Sequence, residues 1–443
     1  MTLWSIAAYL LLPYAFLNLA WRGLRYPAYW RRWPERFGFV ERLAPRRTIW
    51  LHAVSVGEVR SAVALIAALA ERYPRHRLVV TTMTPTGSEQ VHELFGDRVS
   101  HCYVPYDFPD AVRRFLDRVR PEVAVIAETE FWPNLFDECS ARGIPLLLVN
   151  GRVSQASLRG YLRVPRIARR MLEQATLLCA QTRIDAQRLR NLGARERQVH
   201  VTGNLKFDVD LPARLLDEAA ALRRAWGTRP VFIAASTHGG EERKVLDAYA
   251  ELLRALPDLL LVLVPRHPER FAAVARLCRR RRLATALRSR TPGALPAATQ
   301  VLVGDTMGEL QRLYAAADVA FIGGSLVPKG GQNLLEACAV HVPVIFGPYM
   351  FHFEEISAMA LERGAARQVH GERELAAAVA LYFAQPDLRR VAGRAAHTLV
   401  LDNRGALERT LAHMRTALSG AGLEELASDR TATRSIPAAG RER

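Results

Sequence analysis

Lysine is almost missing from this 443-residue chain: of 61 basic residues only Lys206, Lys244 and Lys329 are lysine, and the other 58 are arginine. Paired cysteines are missing as well. Cys102, Cys139, Cys179, Cys278 and Cys338 stand far apart with no C-x-x-C pair. That spacing excludes a disulfide framework or a zinc ribbon and points to a reducing compartment. Acidic residues are few beside basic ones, 44 against 61, so the net charge is +17. Such an excess calls for an anionic partner: nucleic acid, phospholipid or a phosphorylated substrate. Apolar residues are not scarce. Half the chain is hydrophobic and 24 % is charged, which excludes a mainly disordered protein. The length allows two or three domains.

Residues 3–21 carry no charge. As a helix they would reach about 28 Å, close to a hydrocarbon core of roughly 30 Å, although Pro13 and Asn18 weaken a free span. No small-residue cleavage site follows, so a cleaved signal peptide is a poor reading. Eight arginines against Glu35 and Glu41 lie between Arg22 and Arg47, with Trp21, Tyr26, Tyr29, Trp30 and Trp33 among them. Basic charge and interfacial aromatics after an apolar segment place that flank on the cytoplasmic side of an anionic leaflet. The expectation is a membrane anchor over 1–21 and a basic juxtamembrane segment over 22–47; a buried first helix is the alternative.

The body alternates short apolar runs with helical stretches, as βα units require. Runs at Ile49–Val54, Leu78–Thr82, Val123–Ala127, Pro145–Val149 and Leu177–Ala180 form one series. Val231–Ala235, Leu259–Val264, Val301–Gly304, Val319–Ile322 and Pro343–Phe346 form a second. Val59, Val63, Ile66 and Ala70 share one helical face, and Thr86-Gly-Ser-Glu89 reads as a capping box. The fold class expected is α/β: two Rossmann-like parallel-sheet domains, 48–206 and 207–419, with ligands in a cleft at strand carboxyl ends. Residues 420–443 read as a disordered polar tail.

Candidate chemistry sits where strands end. Glu58, in HAVSVGE, falls in a first helical turn after the first strand, where the helix dipole favours its carboxylate. His52 on that strand reads as a core histidine. Glu128 and Glu130 follow the strand VAVIA, and either could cap the next helix. Lys206, in GNLKFD, is a compact ammonium where arginine is the default base. Asp208-Val-Asp210 spells D-x-D, three letters that fit a linker as well as a metal. Pro265-Arg266 ends another strand, and Met307-Gly308-Glu309 opens a helix. The stretch Gly323–Glu336 runs from a strand through glycines and Lys329 to Asn333-Leu334-Leu335-Glu336. Bare amides there would hold an anion, and Glu336 could grip ribose hydroxyls.

Taken in order, WLHAVSVGE, TTMTPTGSE, ETEFWPNL, GNLKFD, LVPRHPERF, GDTMGEL and GGSLVPKGGQNLLEA closely resemble the Kdo transferases of lipopolysaccharide synthesis, over about residues 3–420. The resemblance implies a GT-B type glycosyltransferase that moves 3-deoxy-D-manno-octulosonic acid (Kdo) from CMP-Kdo to the 6′-hydroxyl of lipid A precursor. It implies inversion, no metal and no cofactor, at the cytoplasmic face of the inner membrane. By this resemblance Glu58 is the proton acceptor, and Glu128 and Lys206 stabilise the transition state. Pro265, Arg266, Met307, Gly308, Glu309, Asn333, Leu334, Leu335 and Glu336 then bind CMP. The implied partners are donor, acceptor and anionic lipid. A UDP-sugar transferase shares the ribose-binding glutamate and the glycine-rich turn. A nucleic-acid binder lacks support, because no strand interleaves aromatic and basic residues.

Overall fold

A computed structural model describes residues 9–10, 12–44 and 46–420. Fourteen strands form two sheets, all of whose pairs are parallel. The first holds β1 (Thr48–His52), β2 (Arg77–Thr82), β3 (Ser100–Tyr103), β4 (Val123–Ala127), β5 (Leu146–Gly151), β6 (Leu177–Ala180) and β7 (Val199–Val201), in the order β3-β2-β1-β4-β5-β6-β7. The second holds β8 (Val231–Thr237), β9 (Leu260–Pro265), β10 (Thr285–Leu287), β11 (Val301–Val303), β12 (Val319–Ile322), β13 (Val344–Phe346) and β14 (Ala366–Gln368), ordered β10-β11-β9-β8-β12-β13-β14. Helices cover both faces, so β1, β4, β8 and β12 are buried along their whole length. Continuous apolar strands are what two covered faces demand.

Each order reverses once, between β1 and β4 and between β8 and β12. A crevice opens at such a switch point, outside the carboxyl ends of the strands. All ten apolar runs are strands. The sequence pattern does not reveal β3, β7, β10 and β14, four outer strands of three or four residues.

The chain divides at Asp208 and again at Gly405, and the second unit is Val209–Arg404. The last helix, Ala406–Gly420, which the sequence places at the end of the second domain, packs on the first unit. Ala406, Leu411, Met414 and Leu418 enter the core around β1 and β4, and Arg72 pairs with Glu408 at 2.7 Å. Residues 421–443, the expected tail, lie outside the described residues.

The expected anchor, residues 1–21, is described only in part. Residues 3–8 and 11 lie outside the described residues. Among those described, no helix is long and apolar enough to cross a membrane. The helix Leu12–Arg25 has 14 residues, about 21 Å, and ends on Arg22 and Arg25. Its inner face is held by Phe16 stacked on Phe37 at 4.8 Å, and by a buried Gly23 whose Cβ would lie 2.3 Å from Trp30. Its outer face shows Tyr14, Leu17, Trp21 and Leu24, each at least 60 % exposed. Their spacing of 3-4-3 is one stripe of a helix.

Local starts differ in detail. The helix after β2 begins at Pro85 with Thr84 as its cap, whose Oγ1 accepts from the Gly87 amide at 3.1 Å. Glycine at the third position leaves no reciprocal acceptor, so Thr86–Glu89 is not a capping box. After β1 the chain makes two helices, Val56–Ser61 and Val63–Arg72, broken at Ala62.

Candidate functional site

The first group lies at the carboxyl ends of β1 and β4. Ser55 caps the helix Val56–Ser61, and Glu58 folds back over it. Its carboxylate accepts from the Val54 amide at 2.6 Å and from the Ser55 hydroxyl at 3.1 Å. Glu58 is 8 % exposed. Burial above all, and then the charges of Glu128 and Glu130, push its pKa up to about 8. Burial and these charges outweigh the helix dipole, which alone would favour the ionised form. Its carboxylate is therefore a stronger base than an ordinary glutamate.

Glu128 ends β4 in a left-handed conformation, φ 58°. Its amide donates to Val149 O at 2.8 Å and its Oε1 lies 3.3 Å from the Ser61 hydroxyl. Glu130 accepts from Trp132 Nε1 at 3.0 Å, and burial raises its pKa. Asn150 at the end of β5 and Ser236 at the end of β8 are also left-handed non-glycine residues, φ 54° and 55°. Strain of this kind gathers where function holds it. His52 is fully buried, its Nδ1 2.9 Å from Thr81 Oγ1, and burial lowers its pKa to about 4. It is a neutral core residue.

Lys206 sits in a short turn, Leu205–Phe207. Asn150 Oδ1 accepts from the Leu205 amide and Asn204 Oδ1 from the Lys206 amide, both at 3.0 Å. The turn packs against the helix that carries Glu58. Glu58, Glu128 and the Lys206 turn therefore meet at one end of the first sheet. Asp208 stands apart: its carboxylate accepts from the Gly405 and Leu407 amides, both at 2.6 Å. It caps the last helix, which answers the D-x-D motif.

The second group lies at the carboxyl ends of β8, β9, β11 and β12. Pro265 closes β9, and the Arg266 amide donates to Thr237 O at 2.9 Å. Met307 and Gly308 are exposed, Gly308 with φ 79°. The Glu309 carboxylate is held by Arg288 through two bonds of 3.1 Å, and by Thr306 and Arg312. Leu334 and Leu335 are fully buried, so their side chains belong to the core. Asn333 Oδ1 accepts from the Leu335 amide at 3.1 Å and its Nδ2 donates to Glu336 Oε1 at 3.3 Å. Burial raises the Glu336 pKa, against the pull of Asn333 and Arg266.

The glycine-rich turn holds an unexpected anion. Glu241, fully buried, accepts at Oε2 from the His238 and Gly324 amides at 3.1 and 2.7 Å. Its Oε1 accepts from Ser325 and Leu326 at 3.1 and 2.9 Å. Gly323 makes this approach possible, since a Cβ there would lie 2.3 Å from Ser236 O. The amides expected to be bare are thus occupied by the protein's own carboxylate, and the following helix, Leu335–Ala339, is only five residues long. Lys244 also acquires a role: its Nζ donates to Leu326 O at 3.2 Å, on the same turn. Ser61, His238 and Glu241 were not legible as site residues, although STHGGEE after an apolar strand was a usable signal for the last two.

Two parallel seven-stranded units, each with polar side chains at its strand carboxyl ends, are the build of a GT-B glycosyltransferase. A solved glycosyltransferase of Rickettsia africae ESF-5 matches 85 % of this chain and 99 % of its own with a TM-score of 0.50 at 14 % identity, a likeness of fold alone. Residues 31–209 match the family described as 3-Deoxy-D-manno-octulosonic-acid transferase (kdotransferase). The 3-deoxy-D-manno-octulosonic acid transferase of Haemophilus influenzae is 40 % identical over 394 residues, 88 % of this chain and 92 % of that protein. That of Bordetella pertussis is 39 % identical over 414 residues, 90 % and 95 % of the two chains. The chain belongs to this family of 3-deoxy-D-manno-octulosonic acid transferases, and is a glycosyltransferase.

Proposed function

We propose that the chain transfers Kdo from CMP-Kdo to the 6′-hydroxyl of lipid A precursor in lipopolysaccharide synthesis, by a single inverting displacement without a metal. The observation that carries this reading is Glu58: a buried carboxylate, its pKa pushed up to about 8, beside Glu128 and the Lys206 turn. A base with a pKa near the working pH is well matched to removing a hydroxyl proton in the transition state. The acceptor oxygen forms its bond to the anomeric carbon while the bond to the CMP phosphate breaks. The hydroxyl proton goes to Glu58 and the leaving electron pair to the phosphate. Lys206 and Glu128 steady the charge that develops, and Arg266 balances the departing phosphate. CMP lies along Pro265–Arg266, Met307–Glu309 and Asn333–Glu336. Glu336 takes the ribose, and Leu334 and Leu335 contribute main chain only.

The protein works at the cytoplasmic face of the inner membrane, held there by its N-terminal segment. The stripe Tyr14–Leu24 supports attachment at a membrane surface, with the exposed Tyr26, Trp30 and Trp33 beside it. Anionic lipid would meet the arginines of residues 22–47. The test is mass spectrometry of products from CMP-Kdo and lipid A precursor with wild type and Glu58→Gln. Transfer should vanish in the variant while CMP affinity, by calorimetry, stays near that of wild type. Turnover by Glu58→Gln would remove Glu58 as the base, and product of another sugar nucleotide would overturn the donor.

A further inference from the structure

Beyond the segments assigned to CMP, a set of basic side chains surrounds the end of β8. The His238 ring lies 5.3 Å from that of His267, and its Nε2 is 3.1 Å from Gln332 Nε2. His267, Lys329, Arg266 and Arg270 all act on His238 electrostatically, each disfavouring its protonation. Arg270 is matched by Glu242 at 2.9 Å and His267 faces Glu269 at 3.9 Å. The charged groups that act most strongly on His238 are thus all basic. The backbone amides nearby serve Glu241. An anion arriving here must be met by side chains.

Arg266 fixes the order of the site. It acts electrostatically on both Glu336 and His238, whereas Lys329 and His267 act on His238 and not on Glu336. With the ribose at Glu336 and the phosphate at Arg266, the next position outward belongs to the sugar. In a CMP-activated ulosonic acid the anomeric carbon bears both the phosphate oxygen and a carboxylate. The carboxylate is therefore one bond from the scissile linkage.

We propose that His238, oriented by Gln332 and flanked by Lys329, binds the carboxylate of the donor sugar and selects ulosonic acids over neutral sugars. Gln332 donates to His238 Nε2, which leaves the proton on Nδ1 as a donor for a carboxylate oxygen. Burial and the basic neighbours hold the ring neutral, with its pKa lowered to about 4. His238 then gives a hydrogen bond rather than a charge, and Lys329 supplies the charge.

This inference rests on the donor reading above, and the experiment separates the two. Calorimetry measures CMP and CMP-Kdo binding to full-length wild type, His238→Ala and Gln332→Ala. Wild type should bind CMP-Kdo more tightly than CMP. In His238→Ala the CMP-Kdo affinity should fall at least about tenfold, the scale of a hydrogen bond to a charged group, with CMP affinity unchanged. Gln332→Ala should lose part of the same increment, and unchanged CMP binding certifies that both variants are folded. Equal loss for both ligands would place His238 at the phosphate and overturn the proposal, as would no loss for either. Failure of wild type to bind CMP would instead sink the donor reading.

Discussion

The Ser61 hydroxyl lies 2.8 Å from the carbonyl oxygen of Glu58 and 3.3 Å from the carboxylate of Glu128. It has one proton for two acceptors, so the helix bearing the proposed base is tied to the carboxylate that ends β4. Ser61→Ala removes that tie and leaves only a small buried gap. The expected result is a severalfold lower kcat with CMP affinity unchanged, read by steady-state kinetics and calorimetry. An equal loss of both would mean a general structural fault instead.

The pH dependence follows from Glu58. The base acts when deprotonated, and its pKa is pushed up to about 8. Below that value kcat/KM should rise about tenfold per pH unit and then level off near pH 8. A flat profile from pH 6 to 8 would refute the assignment.

Stability should move the opposite way. A carboxyl whose pKa is raised on folding stays protonated in the native state while the unfolded chain ionises. Stability contributed by the neutral form is present at low pH and is lost between about 4.5 and 8. Glu58→Gln, which cannot ionise, should therefore gain in Tm over wild type as pH rises through that window. Melting curves at pH 5 and pH 8 test it, and a constant difference would count against a buried neutral Glu58.

Glu241→Gln keeps the shape of the side chain but turns an amide towards four N–H donors. The glycine-rich turn must then rearrange. The cost is expected at about 2–4 kcal/mol in stability, with CMP affinity falling at least tenfold. Chemical denaturation and calorimetry measure the two. Unchanged CMP binding would show that the turn does not serve the nucleotide.

Asp208→Ala should destabilise by about 1–2 kcal/mol, the usual loss when a helix cap is removed. Hydrogen exchange should quicken at Gly405 and Leu407 and leave the amides of β8 and β12 protected. Exchange that quickened throughout Val209–Arg404 would contradict the division of the chain.

What the sequence made legible was set by local signals. Interior strands are covered on both faces and show as apolar runs, so β4, β6 and β12 coincide with Val123–Ala127, Leu177–Ala180 and Val319–Ile322. The outer strands SHCY, VHV, TAL and ARQ are short and half-exposed, and nothing in them competes with a loop reading. Glu58 was visible because a glutamate in the first helical turn after a strand is a local pattern. Its raised pKa was not, because it depends first on burial in the folded unit and then on Glu128 and Glu130, which follow a different strand. Glu241 was hidden for the same reason: at the start of a helix it looks like a dipole partner, while its amide partners Gly324–Leu326 lie more than 80 positions away. The N-terminal stripe shows the limit of counting uncharged residues, since the same residues that suggest a span also fit one face of a surface helix.

The helix Ala406–Gly420 completes the first unit after the whole of Val209–Arg404 has intervened. The order of synthesis is therefore not the order of completion. The later-made unit has all its residues out of the ribosome first, whereas the earlier one waits for Ala406, Leu411, Met414 and Leu418 to enter its core. A chain stopped before Gly405 would leave the base-bearing unit, not the nucleotide-bearing one, unfinished, and prone to recognition by whatever guards the cell against exposed apolar surface.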